Sequence, residues 1–127
     1  AEGLLNYRPP TLDDISPLSN ADAAPVTTLM TCLAGRFEFA GVDSVAEGLL
    51  LNPAGGAAAV WSPSGFSMNA DAAVLNQAFY QAVFTNGAAT VGDAVLYALG
   101  ALRDTQTGNR YMLNIYNLLG DPATVLK

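Results

Sequence analysis

The chain contains no histidine, and its 127 residues include a single cysteine, Cys32. One cysteine excludes an internal disulfide. Without histidine, the usual side chain for proton transfer at neutral pH is missing. Charge is sparse and unbalanced, with 11 acidic residues against 5 basic ones and a net charge of −6. So few cations cannot build the clustered basic face that neutralises phosphate, so no nucleic-acid partner is expected. Nor is there a polybasic patch for an anionic membrane. No apolar run approaches the roughly 20 residues that cross a bilayer, so no membrane span is expected. The longest low-charge stretch, Leu49 to Ala70, is broken by Asn52-Pro53, Gly55-Gly56 and Ser62-Pro63-Ser64-Gly65. The first residues lack a basic segment followed by an apolar one, so no signal peptide is read there. No cluster of Cys and acids supplies a zinc site, and Gly87 to Gly92 lacks the lysine of a phosphate loop. Neither a metal nor a cofactor is expected.

What is present is apolar. Hydrophobic residues make up 51% of the chain and charged ones 13%, which suits a packed core and excludes disorder. The length fits one domain over 1–127, or the C-terminal portion of a larger one.

Short strands alternate with helical stretches. Gly3–Tyr7 reads as a short buried strand, stopped by Arg8-Pro9-Pro10. Thr11 with Asp14, Ser44 with Glu47 and Thr90 with Asp93 have the spacing of helix-opening capping boxes. Pro25–Cys32 is β-branched and apolar, and reads as a strand buried on both faces. Gly56–Trp61 reads as a second buried strand, and Ser62–Gly65 as a loop. Leu75, Phe79, Ala82 and Val83 mark a helix that ends at Asn86-Gly87. Ala94, Val95, Ala98, Leu99 and Leu102 mark the next, and Asp104–Asn109 a polar loop. A last helix is expected to carry Met112, Ile115, Tyr116 and Leu119 on one stripe, with a final strand at Thr124–Leu126. The aromatic residues 79, 80, 84, 97, 111 and 116 have helical spacing and read as core. Asp121 reads as a turn residue. The alternation predicts an α/β fold with a mainly parallel sheet flanked by helices, in which ligands bind at the carboxyl ends of strands. Cys32 and the loop after Trp61 both fall at such ends.

A cysteine at a strand end, followed by the turn Leu33-Ala34-Gly35, suits a nucleophile. The turn exposes the sulfur, and backbone N–H groups there can hold an oxyanion. Free cysteine is equally at home in a core, so these residues alone leave both readings open. The segments "LDDISPLSNADAAPVTTLMTCLAGRFEF", "SVAEGLL", "GGAAAVWSPSG" and "YNLLGDPATVL" occur in that order. Together they resemble the C-terminal part of the gingipain-type cysteine peptidase domain. The resemblance extends over nearly the whole chain from Gly3. It implies a caspase-like three-layer α/β fold, represented by its nucleophile-bearing portion. It also implies that Cys32, within Cys-x-x-Gly-x-Phe (32–37), is the catalytic nucleophile, with its own N–H helping to hold the oxyanion. Trp61, Ser62, Pro63 and Ser64 are implied to line the substrate pocket, although a tryptophan at a strand end can equally fill the edge of the core. The implied partners are a peptide or protein substrate and the remainder of the peptidase domain. The implied location is secreted or cell-envelope, in bacteria. Glu47, matching the acid in the family's helix, reads as the helix cap.

The family carries its histidine in a Gly-His-Gly turn after a strand like Gly3–Tyr7, and here Arg8-Pro9-Pro10 follows instead. An ordinary thiol is only a few per cent thiolate at neutral pH, and peptide hydrolysis also needs an acid for the leaving amine. These 127 residues alone should therefore have no useful peptidase activity. Either the base has been lost, leaving an inactive peptidase-like binding or scaffold domain, or it lies in residues of the full protein between Tyr7 and Arg8. The expectation is the second. Peptide mapping of the intact protein should then recover a histidine-bearing peptide between them, and a direct Tyr7–Arg8 bond would sink it.

Overall fold

The computed structural model describes residues 10–105 and 108–126. Residues 1–9 lie outside the described part, and with them the strand expected at Gly3–Tyr7 and the Tyr7–Arg8 junction. The element order is α1 (Leu12–Ile15), a 3-10 turn (Ala21–Ala23), β1 (Val26–Thr28), α2 (Val45–Leu51), β2 (Ala59–Pro63), α3 (Asn69–Phe84), α4 (Val91–Asp104), α5 (Tyr111–Ile115) and β3 (Tyr116–Gly120).

The sheet is small and mixed, in the order β1-β2-β3. β1 runs parallel to β2, with Thr28 opposite Trp61. β3 runs antiparallel to β2, with Trp61 opposite Leu118 and Pro63 opposite Tyr116. Strand side chains alternate between faces, and β2 uses both. Ala59 and Trp61 join the core of α3, α4 and α5, whereas Val60 packs with Ala46, Ala57, Leu29, Leu49 and Leu119 on the α2 side. The result is three layers, with β2 buried along its whole length.

The capping boxes form where the spacing placed them. Glu47 N–H donates to Ser44 Oγ at 3.2 Å, and Ser44 N–H to Glu47 Oε2 at 2.8 Å. Thr90 and Asp93 repeat the arrangement at α4, and Thr11 and Asp14 at α1. Asp121 is a turn residue, its Oδ1 accepting from Ala123 N–H at 2.8 Å.

Several expectations change. β2 runs from Ala59 through Pro63, so Ser62 and Pro63, expected in a loop, are strand. α5 ends at Ile115, and Tyr116–Gly120 forms β3 rather than more helix. The run Tyr116-Asn117-Leu118-Leu119 satisfies either period, and pairing with buried β2 decides for strand. At Thr124–Leu126 only an isolated bridge forms, Thr90 to Val125. β1 is shorter than Pro25–Cys32 and only half-buried, since it pairs on one side alone among the described residues. Of the aromatic residues read as core, Phe79 and Tyr116 are buried, whereas Tyr80, Tyr97, Tyr111 and Phe84 are exposed, Phe84 by 80%. Phe84 is the last residue of α3.

Asn20 and Gly56 join the two sides of the first crossover. Asn20 accepts from Gly56 N–H at 2.8 Å and donates to Gly56 O at 3.0 Å. Gly56 has φ +98°, and a Cβ there would run into the Leu49 carbonyl. Gly56→Ala should therefore lower the unfolding free energy by about 1–3 kcal/mol, measured by urea denaturation. An unchanged midpoint would show that this close approach is not required.

Candidate active site

Cys32 lies beyond the carboxyl end of β1, in a turn that exposes it to solvent. Leu29 N–H still donates to Trp61 O at 2.9 Å, which extends the pairing past β1. The chain then turns at once. Leu33 adopts φ +63°, the left-handed region that non-glycine residues enter at a cost of about 1–2 kcal/mol. Such backbone persists only where its surroundings hold it.

Those surroundings are the loop after β2. Gly35 N–H donates to Pro63 O at 3.0 Å, and Leu33 N–H to Gly65 O at 3.1 Å. Ser67 N–H donates to Cys32 Sγ at 3.2 Å, and the thiol reaches Ser67 O at 3.4 Å. Residues 63, 65 and 67 thus meet residues 35, 33 and 32 in turn. Ala46 N–H, in the first turn of α2, donates to Ala34 O at 2.9 Å and closes the other side. The glycine at 35 is required because a Cβ there would collide with the buried Ser62 hydroxyl. The Cys32 N–H meets no acceptor among the described residues. It is free for a ligand beside an exposed sulfur.

The loop is itself tied down. Ser64 N–H donates to Ile115 O at 2.8 Å, and Asn117 Nδ2 donates to Ser64 Oγ at 3.1 Å. Ser67 Oγ lies 2.8 Å from the Tyr116 hydroxyl. Met68 N–H approaches Met112 Sδ at 3.4 Å.

Trp61, Ser62 and Pro63 do not form an open wall. Trp61 is fully enclosed, stacked on Phe79 at 5.4 Å and edge-on to Tyr116 at 5.5 Å. Its Nε1 and the Ser62 hydroxyl are buried without a partner among the described residues. Pro63 is enclosed as well, and Ser64 alone keeps partial exposure. The residues that meet the sulfur, Ser67 and through it Tyr116, carry no sequence signal. Ser67 sits in an unremarkable loop, and Tyr116 reads as one more core aromatic. Close by is an open pocket of about 220 Å³ lined by Met30, Asn69, Ala72, Ala73 and Asn76, all uncharged. Met30 precedes Cys32 by two residues, and Asn69 opens the helix that follows Ser67. Among the described residues, no group of three or more Cys, Asp or Glu side chains is placed to hold a metal.

A three-layer α/β sheet with a thiol presented beyond a strand's carboxyl end is the arrangement of a caspase-like cysteine peptidase. The crystal structure of the Arg-specific cysteine proteinase gingipain R matches this chain with a TM-score of 0.81 at 17% identity, over 91% of this chain and 29% of that one. At that identity the likeness establishes the fold, and the chain spans less than a third of the gingipain R chain. The model of peptidase family C25 matches residues 3–127, and the chain belongs to that family. No curated protein sequence matches it.

Burial pushes the Tyr116 hydroxyl above the ordinary tyrosine value. The Ser67 hydrogen bond opposes this, and the nearby Cys32 charge adds to it. The fold therefore favours neutral tyrosine. That contribution to stability is complete below the unfolded value of about 10, and is lost as pH rises through the higher folded value. Thermal stability should thus fall above about pH 10, and Tyr116→Phe should remove that part of the fall. An identical alkaline slope in wild type and variant would show that Tyr116 is not its source.

Proposed function

We propose that this chain is the nucleophile-bearing portion of a cysteine endopeptidase, with Cys32 as nucleophile. One observation carries the reading. In a chain of peptidase family C25, Cys32 is exposed beyond the carboxyl end of β1, and its own N–H meets no acceptor among the described residues.

The thiolate attacks the scissile carbonyl of a peptide or protein substrate. Charge then develops on the carbonyl oxygen, where the Cys32 N–H can donate to it. Collapse breaks the C–N bond, the amine leaves with a proton from a general acid, and water hydrolyses the thioester. That acid and base is a histidine outside these 127 residues, which hold none. The rest of the peptidase domain is the partner that brings it. Ser64 borders the substrate, with Trp61, Ser62 and Pro63 supporting the loop from behind. The uncharged pocket beside Met30 receives a substrate side chain. The family resemblance supports export to the bacterial envelope or beyond. No helix among the described residues is long and apolar enough to cross a membrane.

In the full protein, Cys32→Ala should reduce hydrolysis of a mixed peptide library at least about a thousand-fold, while the 127-residue chain alone should show none. Activity that survives Cys32→Ala would overturn the assignment.

A further inference from the structure

Among the described residues, the Cys32 sulfur has two hydrogen-bond partners, and both belong to the main chain of one residue. Ser67 N–H donates to Sγ at 3.2 Å, and Ser67 O accepts from the thiol at 3.4 Å. Once the sulfur loses its proton, only the N–H contact remains favourable, and a donor to the charged form stabilises that form. The position of this one N–H therefore sets how well the thiolate is held.

Secondary structure does not fix that position, since Ser67 lies in neither helix nor strand. Its side chain does. Ser67 Oγ is 2.8 Å from the Tyr116 hydroxyl. Tyr116 opens β3, pairs with Pro63 in the sheet and is wedged edge-on against Trp61. Its ring has little freedom, so its hydroxyl is a fixed point. The hydroxyl is neutral at physiological pH, as any ordinary tyrosine is, and burial raises its proton affinity further. It serves as a hydrogen-bonding anchor and not as a base.

The charged and titratable groups on the described elements around the loop after β2 and the cysteine turn are few. Tyr116 lies on β3 and Tyr111 on α5. Asp71, in the first turn of α3, accepts from Asn109 N–H at 3.1 Å. On the cysteine's own segment, Arg36 pairs with Glu38 at 3.2 Å. None of these is hydrogen-bonded to the sulfur among the described residues, where Ser67 N–H is its only direct donor. The amino end of α3 begins two residues past Ser67 without a side-chain cap, and its dipole favours negative charge in the same region.

We propose that the Ser67–Tyr116 hydroxyl pair aims the Ser67 main-chain N–H at Cys32 Sγ and thereby holds the thiolate, so that both are positioning residues for the cysteine chemistry. The inference rests on Cys32 being the nucleophile and adds what prepares it.

The test is the rate of iodoacetamide alkylation of Cys32 from neutral to alkaline pH, in wild type, Tyr116→Phe, Ser67→Ala and the double variant. Each single variant should slow alkylation roughly three- to ten-fold at neutral pH and move the profile's midpoint to higher pH. The alkaline plateau, where all the sulfur is thiolate, should not change. The double variant should be no slower than the slower single, because the two hydroxyls act as one unit. Ser67→Thr, which keeps the hydroxyl, should restore the wild-type profile. Unmoved midpoints, a raised plateau that reports mere loosening, or additive losses would each overturn the proposal. Should Tyr116→Phe fail to fold, Ser67→Ala with its threonine control decides alone. Alkylation reads the thiol directly, so its outcome is separate from whether Cys32→Ala abolishes peptide hydrolysis.

Discussion

Everything at the site depends on the backbone bonds between the cysteine turn and the loop after β2. Gly35 and Leu33 donate to Pro63 and Gly65, and Ser67 donates to the sulfur itself. These contacts hold Leu33 in a conformation it would not choose, and that conformation turns Cys32 outward. Each bond is worth only about 1 kcal/mol net. They act together because the loop is anchored behind by Ser64, Ile115 and Asn117. A turn on one strand is thus shaped by a loop more than thirty positions away in sequence.

The anchoring reaches back into the core. Trp61 lies under the loop, stacked on Phe79 of α3 and edge-on to Tyr116 of β3. The Cys32 turn therefore stands on the same aromatic cluster that joins the sheet to its helices. Aromatic pairs of this kind add about 0.5–1.5 kcal/mol beyond the area they bury. The tryptophan does not meet the thiol: it packs beneath the loop that does. A fully buried indole cannot also be a surface for substrate, and the exposed rim is left to its neighbours.

Much of this was legible in the sequence, for identifiable reasons. The capping boxes at Ser44 and Thr90 are local hydrogen-bond patterns, and local patterns survive in a linear reading. The place of Cys32 in a turn past a strand end was legible because a β-branched run and a small-residue turn flank it, and the family was legible in the ordered segments. Tyr116–Gly120 was not legible. Its apolar residues fit a helical stripe as well as a strand, and only the buried partner strand settles the choice. The contacts of Ser67 with Cys32 and Tyr116 were invisible because these residues come together through tertiary contact, with no fixed spacing between them. Of the residues expected at 61–64 to line a substrate pocket, Trp61, Ser62 and Pro63 fall on β2, which is covered on both faces, and so they are buried.

The turn also constrains how this region can change in length. Position 33 must accept left-handed backbone, 34 must be small enough to be buried against α2, and 35 must lack a Cβ. Each is matched to a specific carbonyl or side chain across the gap. A single inserted or deleted residue between Cys32 and Gly35 would shift every one of these matches by one position, whatever residue it brought. Beyond Arg36 the chain is exposed until Asp43, and no such matching applies. Length variation should therefore collect after the glycine and stop short before it. A motif that looks loose in its letters is strict in its spacing.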